Sequence, residues 1–204
     1  SDLAIFRDIE YQTKDYYLTY PITKAGYFWG RFIGSFTFMV LIATAIPLGI
    51  YLGTLIGPAL HLTDPAQYGP NKLIYYLYPF VFIALPNILF TSALFFGLVA
   101  IMRNVKVIYF GGVLLFLFYL IALFFLGHTQ NTTVIGISDP FGLNFVRFQM
   151  NNASTLEHNT SLISINGPLA INRILWPGIG LIVLLTTYFR FNFEKFFAGN
   201  RDQA

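Results

Sequence analysis

Four long apolar runs, nearly free of charge, constrain this chain more than any other feature. They cover about residues Phe32 to Ile56, Phe80 to Met102, Val107 to Leu126 and Ile174 to Tyr188. Because an α-helix rises about 1.5 Å per residue, about 20 residues cross the ~30 Å hydrocarbon core of a bilayer. The last run is the shortest and is expected to extend into its flanks. We therefore predict an all-α membrane protein with four transmembrane helices.

The composition agrees with a bilayer environment and limits the chemistry that the chain can carry. Residues are 56% hydrophobic and only 10% charged, against about 25% charged in soluble domains. Cysteine is absent, which excludes disulfides, thiolate nucleophiles and zinc–thiolate sites. The sequence has neither an HExxH pair nor a GxxxxGK(S/T) loop, so nothing indicates a zinc peptidase or a nucleotide site.

All acidic and histidine side chains lie outside the four runs. They are Asp2, Asp8, Glu10, Asp15, Asp64, Asp139, Glu157, Glu194 and Asp202, with His61, His128 and His158. Intramembrane proteases and proton-coupled carriers need titratable groups or metal ligands at membrane depth. We therefore predict no catalytic residue, no metal ligand and no cofactor bound by this chain. One enzymatic alternative stays open, in which Asp139, Glu157 and His158 come together outside the membrane.

Basic residues favour one orientation of the spans. If the first residues are cytoplasmic, that side carries Arg7, Lys14, Lys24, Arg31, Arg103, Lys106, Arg190, Lys195 and Arg201, and the opposite side only Lys72, Arg147 and Arg173. This asymmetry follows the positive-inside rule. Both ends of the segment are then predicted to be cytoplasmic. The net charge of +3 reflects topology, and no nucleic-acid partner is indicated.

Three regions follow from this topology. We predict a cytoplasmic segment over residues 1–24, a four-helix transmembrane domain over 25–191 and a cytoplasmic tail over 192–204. Within the membrane domain, residues 127–172 form a long outer loop rich in Asn, Thr, Ser and Gly, and such a loop usually has a structure or function of its own. The first 24 residues are neither a signal peptide nor a complete domain, so we expect that a longer protein precedes them.

Glycines recur every four residues at both ends of the first span. The two sets are Gly26, Gly30 and Gly34, and Gly49, Gly53 and Gly57. A spacing of four places each set on one helix face, where another helix can approach closely. The offset between the sets rotates one face from the other by about 100°. We predict that these glycines pack against two helix neighbours, although glycine is also simply frequent in membrane helices.

Prolines interrupt two of the spans. Pro47 lies inside the first run and Pro86, followed by Asn87, inside the second. Each proline removes one backbone hydrogen bond and frees a carbonyl group, whereas Pro79 is expected to mark a helix start. Two interpretations of Pro86 and Asn87 stay open. They belong to a candidate substrate path, or they form a structural kink in which Asn87 bonds to a neighbouring helix.

Several motifs together resemble a known family. They are "LTYPITKAGYFWGRF" at residues 18–32, "DPFG" at 139–142, "EHNT" at 157–160, "NRILW" at 172–176 and "RFNFEKF" at 190–196. Their order resembles that of the membrane permeases of type-2 ABC exporters, in a bacterial subgroup that includes proteins fused to an aminopeptidase-like domain. The resemblance covers essentially the whole chain, as helices three to six of a six-helix unit. The first two helices and the peptidase portion have no counterpart here, so peptidase activity is not implied.

The resemblance gives the segment before the first span a role. In that family the corresponding segment is the cytoplasmic element that couples the permease to its ATPase subunit. We expect an amphipathic helix from Asp8 to Lys24 with a turn at Pro21, since its bulky residues gather on one face. Its alternating charges suit a protein groove better than a lipid surface. The residues assigned to coupling are Arg7, Asp8, Glu10, Lys14, Asp15, Tyr20 and Pro21.

The expected function is then that of the membrane-spanning permease part of an ATP-driven transporter, an exporter by resemblance, in the bacterial inner membrane. The implied partners are the lipid bilayer, an ABC ATPase subunit that holds ATP and Mg²⁺, and a second permease half or a second copy of the chain. The alternative is a non-transporting membrane anchor or sensor whose outer loop binds a partner. Apolar spans do not identify a substrate.

Overall fold

The computed structural model describes residues 22–62, 71–102, 104, 106–126, 129, 131–154, 157 and 161–192. The coupling residues Arg7 to Pro21 and the predicted tail beyond residue 192 lie outside this part of the chain. Where the chain is described, it is helical and contains no strand. Its helices are α1 (Lys24–Ala59), α2 (Ile74–Met102), α3 (Lys106–Leu126), α4 (Thr132–Ser138), α5 (Leu143–Asn151) and α6 (Pro168–Arg190).

Four of these helices, α1, α2, α3 and α6, are long and apolar enough to cross a membrane. Each contains one of the predicted apolar runs and extends beyond it into the flanking residues. The prediction of an all-α membrane protein with four spans is confirmed. In the apolar stretches of α2 and α6, 33% and 22% of the residues are buried within the protein. In those of α1 and α3, the buried share is only 6%. Most apolar side chains of α1 and α3 are therefore not covered by the described part of this chain and are available to lipid or to a partner helix.

The chain divides into two compact units, and each long helix contributes residues to both. Unit 1 comprises residues 1–39, 88–118 and 177–204, and unit 2 comprises 40–87 and 119–176. The core of unit 1 is aromatic. Phe28 on α1 has no exposed surface. The centroid of its ring lies 5.2 Å from the ring centroid of Phe96 on α2 and 5.3 Å from that of Tyr188 on α6.

Glycines allow close helix contacts in the core of unit 1. A Cβ atom added at Gly97 of α2 would lie 2.9 Å from the Thr187 hydroxyl on α6. A Cβ atom at Gly180 of α6 would lie 3.1 Å from the Cα atom of Phe90 on α2. Both helices thus approach each other where a side chain is missing.

The core of unit 2 joins parts of α2, α3, α4, α5 and α6. Its buried side chains are Ile83, Ala122, Ile135, Phe145 and Leu169. The short helix α4 begins where the Asn131 side chain accepts hydrogen bonds from the backbone N–H groups of Thr133 and Val134, which are otherwise unpaired at a helix start. The helix α6 begins at Pro168, at the position where a helix tolerates proline best.

Two boundaries differ from the sequence-based expectations. The last span begins at Pro168, so the loop predicted over 127–172 ends earlier and its last residues are helical. Pro79 does not mark a helix start, because α2 begins at Ile74 and Pro79 ends its first α-helical turns. Immediately after Pro79, residues Phe80–Ala84 form a π-helical turn, and the α-helix resumes at Leu85. A π turn inside an α-helix often lies at a functional site.

Candidate functional site

A network of buried and half-buried polar groups in unit 2 connects the π turn of α2, the turn between α4 and α5, and the first turns of α6. We call it the loop network. Its members are Asn87, Asp139, Phe141, Asn144, Asn172, Arg173 and Trp176, which act through side chains, backbone groups or both. Pairing of these groups with one another offsets the cost of burying them, except at Nδ2 of Asn144, which is buried without a hydrogen-bond partner in the described part of the chain.

Asn172 occupies the centre of the loop network. Its side chain is fully buried, and its amide group donates to the backbone carbonyls of Gly136 and Asp139 at 2.6 and 2.7 Å. Its carbonyl oxygen accepts from the guanidinium group of Arg173. Only a side chain with a donor and an acceptor in one plane can serve all these partners, and asparagine has both. Asn172 thereby joins α6 to the end of α4.

Asp139 organises the turn between α4 and α5. The residue is fully buried, and its two carboxylate oxygens accept from the backbone N–H groups of Phe141 at 2.9 Å and Asn144 at 2.8 Å. The second bond satisfies a donor in the first turn of α5, where a negative charge is favourable. This carboxylate is therefore engaged in folding the turn and has no surface exposed to a substrate.

Gly142 completes this turn. Its φ angle of 67° lies in the left-handed region that glycine adopts readily. A Cβ atom here would also collide with the Arg173 guanidinium group. The motif "DPFG" therefore needs its aspartate for the hydrogen bonds and its glycine for both the backbone conformation and the space.

Arg173 connects α6 to α2. One nitrogen, Nη1, donates to the backbone carbonyl of Ile83 at 3.3 Å and to the side-chain oxygen of Asn87 at 3.0 Å. Nε and Nη2 donate to Asn172. The nearby charge of Asp139 attracts the guanidinium group, but no carboxylate of the described residues forms a hydrogen bond with it.

Two further contacts extend the loop network. The side chain of Asn87 donates to the backbone carbonyl of Phe141 at 3.0 Å, and the ring of Phe141 lies edge-on to that of Tyr119 on α3, with centroids 5.8 Å apart. The indole N–H group of Trp176 donates to the carbonyl of Ile137 at 2.9 Å. The network therefore contacts three of the four spans.

The structure distributes the predicted site residues unevenly. Asn87 forms the expected hydrogen bond with a neighbouring helix, through Arg173 of α6, and Pro86 lies in the same segment beside the π turn. A lining role for these two residues in a substrate path stays a prediction. Of the residues in the enzymatic alternative, Asp139 is buried, Glu157 accepts from the exposed Ser154, and His158 lies outside the described residues. No group of three acidic or histidine residues in the described part could hold a metal ion.

Five of the six glycines in the α1 sets do not pack against another helix of the described part of this chain. Cβ atoms added at Gly30, Gly34, Gly49 and Gly53 would meet no atom within 4 Å, and one at Gly26 would meet only Thr23 of the preceding turn. Among the described residues, close contacts between helices are instead made at Gly97, Gly111, Gly136 and Gly180. That α1 packs against a helix of another chain through Gly26, Gly30, Gly34, Gly49, Gly53 and Gly57 stays a prediction.

Sequence reasoning missed the role of Arg173 and Asn172. The sequence places Arg173 among the basic residues outside the spans and in the motif "NRILW", whereas it lies in the second turn of α6. The sequence signal for its role is weak, because an arginine near the start of an apolar helix can also satisfy its donors at the membrane surface.

The fold and the loop network define a class, the multi-pass all-α membrane proteins. Comparisons with protein-family models, curated proteins and solved structures found no match. The resemblance to type-2 ABC permeases therefore depends on the sequence motifs alone.

Proposed function

We propose that this chain is the membrane-spanning permease part of an ATP-driven ABC-type exporter in the bacterial inner membrane. In this proposal a separate ATPase subunit holds ATP and Mg²⁺ and engages residues 1–24 on the cytoplasmic side. A second permease half or a second copy of the chain completes the transport path. The chain itself carries no catalytic residue.

The observation that carries the proposal is the convergence of separate motifs on one network. "DPFG" and "NRILW" are about 30 residues apart in the sequence, and Asn87 is about 50 residues before the first of them. In the structure, Asn172 of the second motif donates to Asp139 of the first, and Asn87 binds both Phe141 and Arg173. Two of the five motifs that prompted the family resemblance therefore meet in one network, which supports the resemblance for these two motifs.

The irregular α2 helix also suits a permease. A path that is exposed alternately to the two sides of a membrane requires helices with segments that can rearrange. The π turn Phe80–Ala84 and Pro86 interrupt the regular hydrogen bonds of α2, and the polar contacts of the loop network lie at the same place. A membrane anchor has no need of such a segment.

The proposal is tested by what accompanies the native protein. After purification from its own membranes in a mild detergent, we expect a vanadate-sensitive ATPase subunit in stoichiometric amount, identified by mass spectrometry. Reconstitution of the complex into liposomes should preserve this activity. If the protein purifies intact, as judged by its helical circular dichroism, yet without any ATPase, the anchor or sensor alternative is favoured.

A further inference from the structure

A single nitrogen atom of α6 binds α2 at two places, one inside the π turn and one just after it. Nη1 of Arg173 donates to the carbonyl of Ile83, inside the π turn, and to the side chain of Asn87, which follows Pro86. Proline has no N–H group to donate within the helix. The segment of α2 around Pro86 therefore has one backbone N–H donor fewer than a regular helix. The guanidinium group of Arg173 supplies hydrogen-bond donors to this segment from α6.

These contacts are of a kind that can be broken and remade. Both acceptors on α2 are neutral, and hydrogen bonds to neutral acceptors are weaker than a bidentate pair with a carboxylate. The charge that attracts Arg173 belongs to Asp139, whose oxygens are bound to the backbone of Phe141 and Asn144. Loss of the bonds to α2 would leave Arg173 bonded to Asn172 on its own helix. The α6 side of the network can thus stay intact while α2 moves.

We propose that Arg173, Asn87 and the Ile83 carbonyl form a releasable latch between α6 and the π turn of α2. With the latch closed, Ile83 is packed in the core of unit 2 and is 8% exposed. With the latch open, the π turn separates from α6 and the Ile83 side chain becomes accessible to water. In a transporter this movement opens one side of the path, and this last step rests on the proposed function.

The state of the latch can be read from a single cysteine. The chain has no natural cysteine, so Ile83→Cys places one thiol at the latch and leaves the backbone carbonyl in place. The native protein with this substitution is reconstituted in lipid nanodiscs, where both faces are accessible, and treated with a water-soluble methanethiosulfonate reagent. Its labelling rate is compared with that of Ile83→Cys proteins that also carry Arg173→Met or, as the matched control, Arg147→Met.

Arg147 lies on the exposed side of α5 and makes no contact in the loop network, so its substitution removes the same charge without affecting the latch. We expect Arg173→Met to raise the labelling rate about tenfold or more, since the two hydrogen bonds of a charged group that join α6 to α2 are lost, together with the two bonds to Asn172. The control should label at the original rate. Equal rates in the two variants, with both proteins folded, would overturn the latch.

If Arg173→Met does not fold, Asn87→Ala tests the latch from the other side. It removes one of the two acceptors on α2 and the bond that Asn87 donates to the Phe141 carbonyl, and it keeps the arginine. Faster labelling is again expected, and a rate equal to that of the Arg147→Met control would contradict the proposal. Labelling of the protein in complex with its ATPase, with and without ATP, tests the latch and the proposed transport function separately. ATP should accelerate labelling in the protein with Arg173 and have little further effect in Arg173→Met. Faster labelling in Arg173→Met without any response to ATP would support the latch and argue against ATP-driven transport.

Discussion

Replacement of Asn172 by leucine should destabilise the protein strongly, because it removes every hydrogen bond at the centre of the loop network. Leucine has nearly the same size, so the loss is chiefly polar. The carbonyls of Gly136 and Asp139 lose their donor, and Arg173 loses the oxygen that binds two of its nitrogens. Each neutral bond contributes about 1 kcal/mol and a bond to a charged group about 1.5–3 kcal/mol. Because these terms are not strictly additive, we expect a loss of about 3 kcal/mol or more.

The matched control for this change is Asn166→Leu. Asn166 is exposed in the segment before α6, so the same substitution there should change the free energy of unfolding by less than about 0.5 kcal/mol. Unfolding is followed in mixed micelles by tryptophan fluorescence. The chain has two tryptophans, and Trp29→Phe leaves Trp176, which lies in the loop network, as the only reporter.

In Asn172→Leu we also expect the Trp176 emission to move to longer wavelength before unfolding, because the turn that holds its indole group loosens. The interpretation of the network fails if Asn172→Leu is as stable as Asn166→Leu and the emission does not move. The network would then be a set of contacts without energetic importance.

Two further predictions concern packing and topology. Gly97→Leu should lower the stability of the bundle by about 1–3 kcal/mol through overpacking against α6, whereas Gly112→Leu and Gly30→Leu, which meet open space, should leave thermal unfolding of the isolated chain unchanged. An equal loss in all three variants would contradict the packing of α2 on α6. For topology, of single cysteines at Asn104 and Asn152, only the second should react with an impermeant thiol reagent applied to intact spheroplasts, and labelling of the first alone would reverse the orientation.

The spans could be predicted from the sequence because the signal is a sum over many residues. A run such as Val107 to Leu126 has about 20 apolar side chains and no charge, and no single residue decides the outcome. The ends were less certain, since Pro168 and Ile74 begin their helices in segments of mixed polarity. Local context, not hydropathy, sets such boundaries.

The loop network could be predicted only in part. The irregularity of α2 near Pro86 and the bonding of Asn87 to a neighbouring helix follow from local rules for proline and buried amides. The hydrogen-bond partner of Asn87 could not be predicted in this way. Asn87 and Arg173 are 86 residues apart, and pairing across that distance depends on the packing of whole helices. The same limit explains the glycines: a spacing of four identifies a face, but contacts in the folded chain are made at Gly97 and Gly180.

The central claim is that residues 1–24 engage an ATPase subunit, and charge reversal in this segment tests it most directly. The variant Asp8→Lys with Glu10→Lys is compared with Lys72→Glu, which reverses a charge between the first two spans. Both proteins are purified from native membranes, and the amount of associated ATPase is measured per copy of the chain. We predict that the first variant inserts normally but loses the ATPase or its coupling to transport, while the second keeps both. Full ATPase association and full transport in the first variant would contradict the account.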